Sequence, residues 1–191
     1  MKERPIPFTA PEVRALLAGT KTQTRRVVDP RSFAGKWLDA YACENVVGAR
    51  EFVADPENYP PFVAGMRLWV RETWASDVPG CPGGLSYRAD HLDPRGDGPA
   101  NPMRWRSSTQ MPRSASRITL EVTNVRVERL QDISEEDARA EGLRGTESQW
   151  GVETCAVDEF QRLWDSINGK PGKRWEDNPW VWVVGFRRLY G

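Results

Sequence analysis

The stretch Leu16-Leu17-Ala18-Gly19-Thr20-Lys21-Thr22-Gln23-Thr24-Arg25-Arg26 decides the fold, because a helix ends within it and a strand follows. Upstream, Thr9 and Glu12 have the spacing of a capping box, which predicts that a helix begins at Thr9. Gly19 stands where a left-handed helix cap is expected. Residues 20–26 contain no apolar side chain and are rich in threonine, so they predict a turn that enters a short strand at residues 27 and 28.

The segment after Gly19 concentrates reactive and charged side chains. In extended geometry, Thr22, Thr24 and Arg26 would line one side of the chain, with Lys21 near the bend. One short segment would then present an amine, a hydroxyl and a guanidinium group together. We interpret this segment as the active or binding site of the protein.

The motif Gly19-x-Lys21-x-x-Thr24-x-Arg26 resembles the signature of the ASCH domain, G-x-K-x-x-E-x-R, with a threonine in the glutamate position. Residues 17–24 are more similar still to the bacterial N4-acetylcytidine amidohydrolases, small ASCH proteins of the PUA-like superfold. The resemblance implies that Lys21 is the proton acceptor and Thr24 the nucleophile. It also implies a glutamate proton donor in a downstream helix, a position that Glu141 matches. It implies no metal and no cofactor.

The segment that carries Glu141 predicts a short capped helix. Ser134 has the spacing of an N-cap to Asp137, and Gly142 is expected to end the helix. Glu141 then falls in the last turn, where unpaired carbonyl groups disfavour a carboxylate. Such a position suits a group that donates a proton.

Composition limits the class of protein. The chain has 191 residues and equal numbers of basic and acidic side chains, 27 each, so no global basic field indicates binding to long nucleic acid. Its three cysteines lack C-x-x-C spacing, which argues against a disulfide framework or a zinc site. Without a signal peptide or a membrane span, the expected location is the cytoplasm and no membrane partner is expected. The lone His91 cannot form a metal site without further ligands.

The remaining pattern predicts an α+β protein. Strands are expected at residues 65–74, 117–130 and 178–186, and the alternation of the second shifts phase near Thr123 and Asn124. Because helices and strands do not alternate regularly, we predict a small, mostly antiparallel β-barrel with peripheral helices. Residues 1–191 would form a single ASCH/PUA-like domain with long loop insertions at about 29–62 and 76–114.

The strand at residues 65–74 contributes the predicted wall of the substrate cleft. Leu68 and Val70 would face the core, whereas the other face mixes an aromatic side chain with arginines. The candidate substrate-binding residues here are Trp69, Arg71, Glu72 and Trp74. A tryptophan would stack on a pyrimidine ring, while Arg71 and Glu72 would form a partly buried ion pair or face the cleft.

The mechanism that fits these residues is amide hydrolysis. Lys21 would take the proton of Thr24, whose oxygen would attack the acyl carbon, and Glu141 would protonate the leaving nitrogen. Arg26 or a backbone amide would stabilise the oxyanion. Arg25 and Arg26 are both candidate substrate-binding residues, of which one is expected to be structural. The expected substrate is an N4-acylated cytosine or cytidine, that is, a nucleoside or a small modified base.

Two other functions remain open. The first is a PUA-like module that binds RNA or a modified nucleotide through the same side chains without catalysis. The second is a metal-assisted ASCH-type ribonuclease, which ranks lower because no carboxylate cluster or multi-histidine site is evident. The long insertions and the closing Trp-Val-Trp strand also resemble larger ASCH proteins common in phage genomes, whose substrates the resemblance does not specify. The oligomeric state is not predicted.

Overall fold

The computed structural model describes residues 3–32, 34–36, 38, 61–78, 81–91, 104–147 and 153–189. Internal contacts divide the chain into two compact units. Unit one comprises Met1–Gly19, Met66–Glu121 and Arg187–Gly191, and unit two comprises Thr20–Gly65 and Val122–Phe186. Most of the predicted insertion at about 29–62 lies outside the described residues. The prediction of one ASCH/PUA-like domain stays a prediction.

The described elements confirm a mixed α+β class. The strands are β1 (Glu3–Pro7), β2 (Gln23–Val27), β3 (Arg67–Arg71), β4 (Trp74–Val78), β5 (Cys81–Tyr87), β6 (Thr119–Arg129), β7 (Thr146–Glu147), β8 (Glu153–Thr154) and β9 (Trp180–Leu189). The α-helices are α1 (Ala10–Leu17), α2 (Glu135–Ala140) and α3 (Ala156–Asn168). Short 3-10 turns occur at Arg88–Asp90, Ser108–Gln110, Arg113–Ala115 and Leu130–Asp132.

Five strands form the main sheet, in the order β1-β3-β6-β9-β2, and two-stranded sheets are formed by β4-β5 and by β7-β8. The first pair, β1 and β3, is parallel, whereas β2-β9 and β3-β6 are antiparallel, as predicted for most of the sheet. The predicted closed barrel is not found in the described part of the chain, because the sheet order is open between β1 and β2. Alternation of apolar residues predicts strands, but closure depends on register and stagger, which alternation does not set.

In unit one, α1 has the predicted capping box. The backbone N–H and the hydroxyl of Thr9 both donate to the Glu12 carboxylate at 2.8 Å. Gly19 has φ 74°, the left-handed conformation expected after the helix. The predicted loop at about 76–114 contains more structure than its sequence suggested, since β4 and β5 form an antiparallel hairpin.

In unit two, β2 lies antiparallel to β9, and Thr24 is opposite Val184. Residues 180–186 of β9 are all buried, as expected for a strand that is apolar on both faces. One correction concerns β2, which begins at Gln23 and not at residue 27. Local propensity disfavours this segment, but pairing with a buried strand supplies the backbone hydrogen bonds that propensity does not count.

The helices of unit two follow the predicted caps. The Asp137 N–H donates to the Ser134 hydroxyl at 3.1 Å, and Gly142 ends α2 with φ 95°. Helix α3 buries Phe160 and Trp164, whereas Ile167 is 52% exposed. Within the described ranges, no helix has the length and apolar character needed to cross a bilayer.

Candidate functional site

Residues 21 and 22 link the end of α2 to β9. Lys21 forms an isolated antiparallel bridge with Glu141. The Thr22 N–H donates to the Ala140 carbonyl at 2.8 Å, and the Thr22 carbonyl accepts from the Phe186 N–H at 2.9 Å. The backbone before β2 is therefore fixed on both sides, so the predicted proton acceptor and proton donor lie side by side.

Lys21 and Glu141 form a buried ion pair. The Lys21 Nζ lies 2.7 Å from Oε2 of Glu141 and also donates to the Glu141 backbone carbonyl at 3.0 Å. Lys21 is 3% exposed and Glu141 4%. Burying two charges is costly unless they are paired and hydrogen-bonded, and here both conditions are met.

Arg25 holds the other oxygen of the same carboxylate. Its Nη1 donates to Oε1 of Glu141 at 3.1 Å, and its Nη2 donates to Asp137 at 2.8 Å and to Glu128. The Arg25 side chain has no exposed surface. Of the two adjacent arginines, Arg25 therefore binds carboxylates that belong to the fold. One of the two was expected to be structural, and the role of Arg26 stays a prediction.

Arg126 completes what we call the ionic network. Its guanidinium donates to Glu128 at 3.0 Å and to Asp137 at 2.6 Å. The network comprises three basic and three acidic side chains, namely Lys21, Arg25, Arg126, Glu128, Asp137 and Glu141. Sequence reasoning did not identify Arg126, Glu128 or Asp137 as members. The available signal was the spacing of Arg126 and Glu128 in β6, which places both on one face of a strand.

The network shifts the pKa values of Asp137 and Arg126. Partial burial acts to raise the pKa of Asp137, but the nearby Arg25 and Arg126 outweigh it and hold that pKa below its ordinary value. Burial acts to lower the pKa of Arg126, yet Glu128 and Asp137 raise it overall. Both side chains therefore stay charged at neutral pH.

Thr24 lies on the other face of β2 from Arg25, because successive side chains of a strand alternate. It is 1% exposed, and its Oγ1 accepts a hydrogen bond from Nη1 of Arg26 at 3.1 Å. Arg26 also donates to the Arg25 carbonyl at 3.1 Å and is half-buried. Because the guanidinium donates, Thr24 acts as the acceptor in this bond and its hydroxyl proton is not used in it.

The other predicted substrate-binding residues lie in unit one. Trp69 and Trp74 are buried, and the Arg71 guanidinium lies over the Trp69 ring at 4.8 Å. Glu72 is 1% exposed, but its ion-pair partner is Arg117 and not Arg71, which corrects the expected pair. The two partners are 45 residues apart, a pairing that local sequence cannot indicate. Whether these residues bind substrate stays a prediction.

Arg117 bridges two carboxylates. Its Nε donates to Glu72 at 2.9 Å and its Nη1 to Asp90 at 2.8 Å. Burial nevertheless raises the pKa of Glu72, against the opposing effect of Arg117. The same arginine lies 4.0 Å from the Tyr87 ring centroid. Glu72 is thus a buried carboxylate whose charge depends on one partner.

Unit one also contains arginines stacked on indole rings. Arg106 lies over Trp74 at 5.1 Å and Arg88 over Trp105 at 5.4 Å. Among the described residues, the buried Nε1 atoms of Trp74 and Trp105 have no hydrogen-bond acceptor. Sequence reasoning treated the segment around Trp105 as part of a loop. The Arg-Trp-Arg order at 104–106 was the signal that could have drawn attention to it.

Described residues of unit two line two clefts. One, of about 370 Å³, is lined by Gln161, Asp165, Gly169, Arg174, Trp175 and Glu176. The other, of about 310 Å³, is lined by Thr20, Arg139, Leu143 and Arg144. In the part of the chain that the structure describes, no group of three or more His, Cys, Asp or Glu side chains is arranged to hold a metal ion.

Comparison with known proteins gave two solved structures. A crystal structure of an ASCH domain from Lactobacillus crispatus is 14% identical with a TM-score of 0.43, and the alignment covers 100% of this chain and 81% of that one. A protein from Enterococcus faecalis, assigned to the family DUF984, is 12% identical with a TM-score of 0.44, covering 99% of this chain and 80% of that one. At these values, neither likeness transfers a residue or an activity to this chain. No family model matches the sequence, and no curated protein matches it.

Proposed function

We propose that the protein is an amidohydrolase that removes the acyl group from N4-acylated cytosine or cytidine. The observation that carries the proposal is the buried pair of Lys21 and Glu141, joined at 2.7 Å. Amide hydrolysis requires a base for the nucleophile and an acid for the leaving nitrogen. The resemblance of the motif implies these two roles for these two residues, and Thr24 follows three positions after Lys21.

The reaction starts when the proton shared by the buried ion pair moves from Lys21 to the carboxyl oxygen of Glu141, which leaves Lys21 as a neutral amine and Glu141 as the acid. Because Lys21 shares the Glu141 carboxylate with Arg25, and Thr24 faces away from Arg25, the proton of Thr24 reaches Lys21 through a water molecule as the Thr24 oxygen bonds to the acyl carbon. Glu141 then gives its proton to N4 as the carbon–nitrogen bond breaks, which releases the amino-pyrimidine. Lys21 is now an ammonium and Glu141 a carboxylate.

A water molecule completes the cycle. It adds to the acyl carbon of the Thr24 ester and gives a proton to Glu141. The ester bond breaks, the Thr24 oxygen recovers a proton from Lys21, and the carboxylic acid leaves. Every group returns to its starting state. Lys21 acts as base and then as acid, Glu141 acts as acid and then as base, and a 2.7 Å hydrogen bond joins the two.

The two arginines of the motif have different roles in this proposal. Arg26 donates to Oγ1 of Thr24, so its guanidinium lies beside the attacking oxygen, and from there it stabilises the oxyanion that forms on the acyl carbonyl oxygen. Arg25 holds one oxygen of Glu141 and leaves the other for Lys21, which makes it a positioning residue.

The test is deacylation by the purified protein of N4-acetylcytidine and a small panel of N4-acyl cytosines and cytidines, followed by absorbance. The Lys21→Ala variant should be inactive, whereas Lys170→Ala, which removes an exposed lysine of the same unit, should keep full activity. Near-UV circular dichroism establishes that each variant is folded. Absence of turnover across the whole panel by the wild-type protein contradicts the proposal.

A specific observation favours one second candidate, an RNA-binding module. Arg71 and Arg106 lie over tryptophan rings and form no ion pair with the residues that the structure describes. Arginine planes and aromatic rings bind unstacked bases and phosphates of single-stranded RNA. If the protein binds RNA in this way, Arg106→Ala weakens its binding of a fluorescent single-stranded RNA. Thr24→Ala then either lowers the affinity for RNA or has no effect. An enzyme that loses turnover in Thr24→Ala and keeps its ligand affinity excludes a purely binding role.

A further inference from the structure

One cleft of unit two is lined by residues that are close in sequence to the buried pair of the proposed active site. Its volume is about 310 Å³, and it is lined by Thr20, Arg139, Leu143 and Arg144. Thr20 directly precedes Lys21, and Leu143 follows Glu141 by two residues. Consecutive Cα atoms are about 3.8 Å apart, and each lining residue lies within three residues of one member of the pair. The volume is at the low end of the range of small-molecule sites.

The loop that carries Arg144 is held in place. Gly142 and Gly145, on either side of Leu143 and Arg144, have φ of 95° and 72°, conformations that glycine adopts without strain. The backbone N–H groups of Arg144 and Gly145 donate to the Glu159 carboxylate at 3.3 and 3.0 Å. Leu143 packs against the hydrophobic cluster of unit two. The backbone is therefore fixed while the Arg144 side chain is exposed.

The charge of the cleft is not balanced by nearby carboxylates. Arg144 forms no ion pair within the described ranges of the chain. Arg139 lies 3.7 Å from Glu135, but both side chains are exposed, at 65% and 40%, and such pairs contribute little. Glu159 is engaged by two backbone N–H groups. The neighbouring ionic network, by contrast, pairs three cations with three carboxylates.

The positive charges of Arg139 and Arg144 have different explanations. Arg139 is in the last turn of α2, where a cation is favourable beside the unpaired carbonyl groups. That explanation does not extend to Arg144, which lies beyond the helix and beyond its glycine cap. Guanidinium groups bind phosphate through paired hydrogen bonds, and Leu143 supplies an apolar surface between the two arginines.

We propose that this cleft binds the phosphate group of the substrate, so that a phosphorylated N4-acylcytidine is bound more tightly and deacylated in preference to the free nucleoside. The inference rests on the proposed function and names the substrate class of the same site. Arg144 is the principal phosphate ligand and Arg139 the second. The acylated base then extends from the cleft toward Lys21 and Glu141.

The test is titration calorimetry of the protein with cytidine 5′-monophosphate and with cytidine, which differ only in the phosphate. Neither carries an acyl group, so binding is measured without turnover. The wild-type protein should bind the monophosphate at least about tenfold more tightly, and added salt should reduce the difference. The variant Arg139→Ala/Arg144→Ala should bind both compounds equally. Arg162→Ala, which removes an exposed arginine of α3, is the matched control and should behave as wild type.

Equal affinity of the wild-type protein for the two compounds, or a preference that survives in the double variant, overturns the proposal. Inorganic phosphate as a competitor separates two sources of the anion. Weak competition indicates a nucleotide site, and competition as strong as that of the monophosphate indicates a free-anion site, which also overturns it. If the arginine-dependent preference is found but no acylated compound is hydrolysed, the phosphate site stands and the amidohydrolase function fails.

Discussion

Lys21 and Glu141 bind each other through both side chain and backbone: the ammonium donates to the Glu141 carboxylate at 2.7 Å and to its carbonyl at 3.0 Å. The pair joins the start of β2 to the end of α2, 120 residues apart in the chain. It therefore contributes to the fold of unit two as well as to the proposed chemistry, and the two contributions can be measured separately.

Removal of Glu141 should destabilise the protein. The Glu141→Ala variant leaves Lys21 and one donor of Arg25 buried without their carboxylate, so the free energy of unfolding should fall by about 3 kcal/mol in urea denaturation. Glu176→Ala breaks an exposed pair with Arg174 and should cause no measurable loss. Equal stability of the two variants would show that the buried pair does not form.

Substitution of Thr24 should separate chemistry from packing. Thr24→Val keeps the shape of the side chain and removes the hydroxyl, so deacylation should fall by at least about a hundredfold, while Thr24→Ser, which keeps the hydroxyl, should retain part of the rate. Mass spectrometry of the quenched wild-type reaction should detect an acyl group on Thr24. Unchanged kcat in Thr24→Val would remove Thr24 from the mechanism.

The depressed pKa of Asp137 makes its contribution to stability dependent on pH. The unfolded chain binds the proton at a higher pH than the folded protein, so the contribution is complete above the ordinary aspartate value of about 4. It is lost as the pH falls through the lower folded value. Urea denaturation should therefore show that wild type and Asp137→Asn differ in their free energy of unfolding at neutral pH. This difference should shrink below about pH 4.

Exposed Asp132→Asn serves as the matched control for Asp137→Asn. It should differ little from wild type at either end of the pH range. A difference between wild type and Asp137→Asn that stays constant down to the acid limit would contradict the role of Arg25 and Arg126 in holding the carboxylate charged.

The buried Glu72 predicts the opposite pH dependence. Its pKa is raised by burial, so the folded protein takes up a proton more readily than the unfolded chain and the ionised form is the less stable one. Arg117→Ala removes its partner and should destabilise unit one by about 2 kcal/mol at neutral pH, less than for a fully buried pair because Arg117 is partly exposed.

The loss in Arg117→Ala should shrink as the pH is lowered from neutral toward mildly acidic values, because Glu72 becomes protonated and needs no partner. Thermal unfolding at several pH values measures it. Arg113→Ala, which breaks an exposed pair with Glu3, is the control. A deficit that grows on acidification would show that Glu72 remains ionised without Arg117.

Local patterns predicted the caps and most of the elements. Thr9 with Glu12, Ser134 with Asp137, and the left-handed Gly19 and Gly142 are each specified by side chains within four residues of one another. What the sequence did not predict depends on distant partners. The pairing of Glu72 with Arg117, the early start of β2 and the open order of the main sheet all follow from contacts between segments that are far apart in the chain.

In the candidate site, too, local sequence predicted some features and distant contacts determine the others. The motif and its resemblance identified Lys21, Thr24 and Glu141, and the structure brings Lys21 and Glu141 into direct contact. Their catalytic roles stay predictions. The carboxylates that surround Arg25 come from β6 and α2, and no periodicity connects these segments to β2. Only a three-dimensional structure shows which charges are shared.

The ionic network limits how this protein can change during evolution. Its six side chains come from three separate segments, and their charges cancel. A substitution that alters one charge leaves its partners uncompensated, so the affected lineage must acquire a second change before the first is tolerated. Related sequences are therefore expected to vary at these six positions in charge-compensated pairs, even where the surrounding surface has diverged freely.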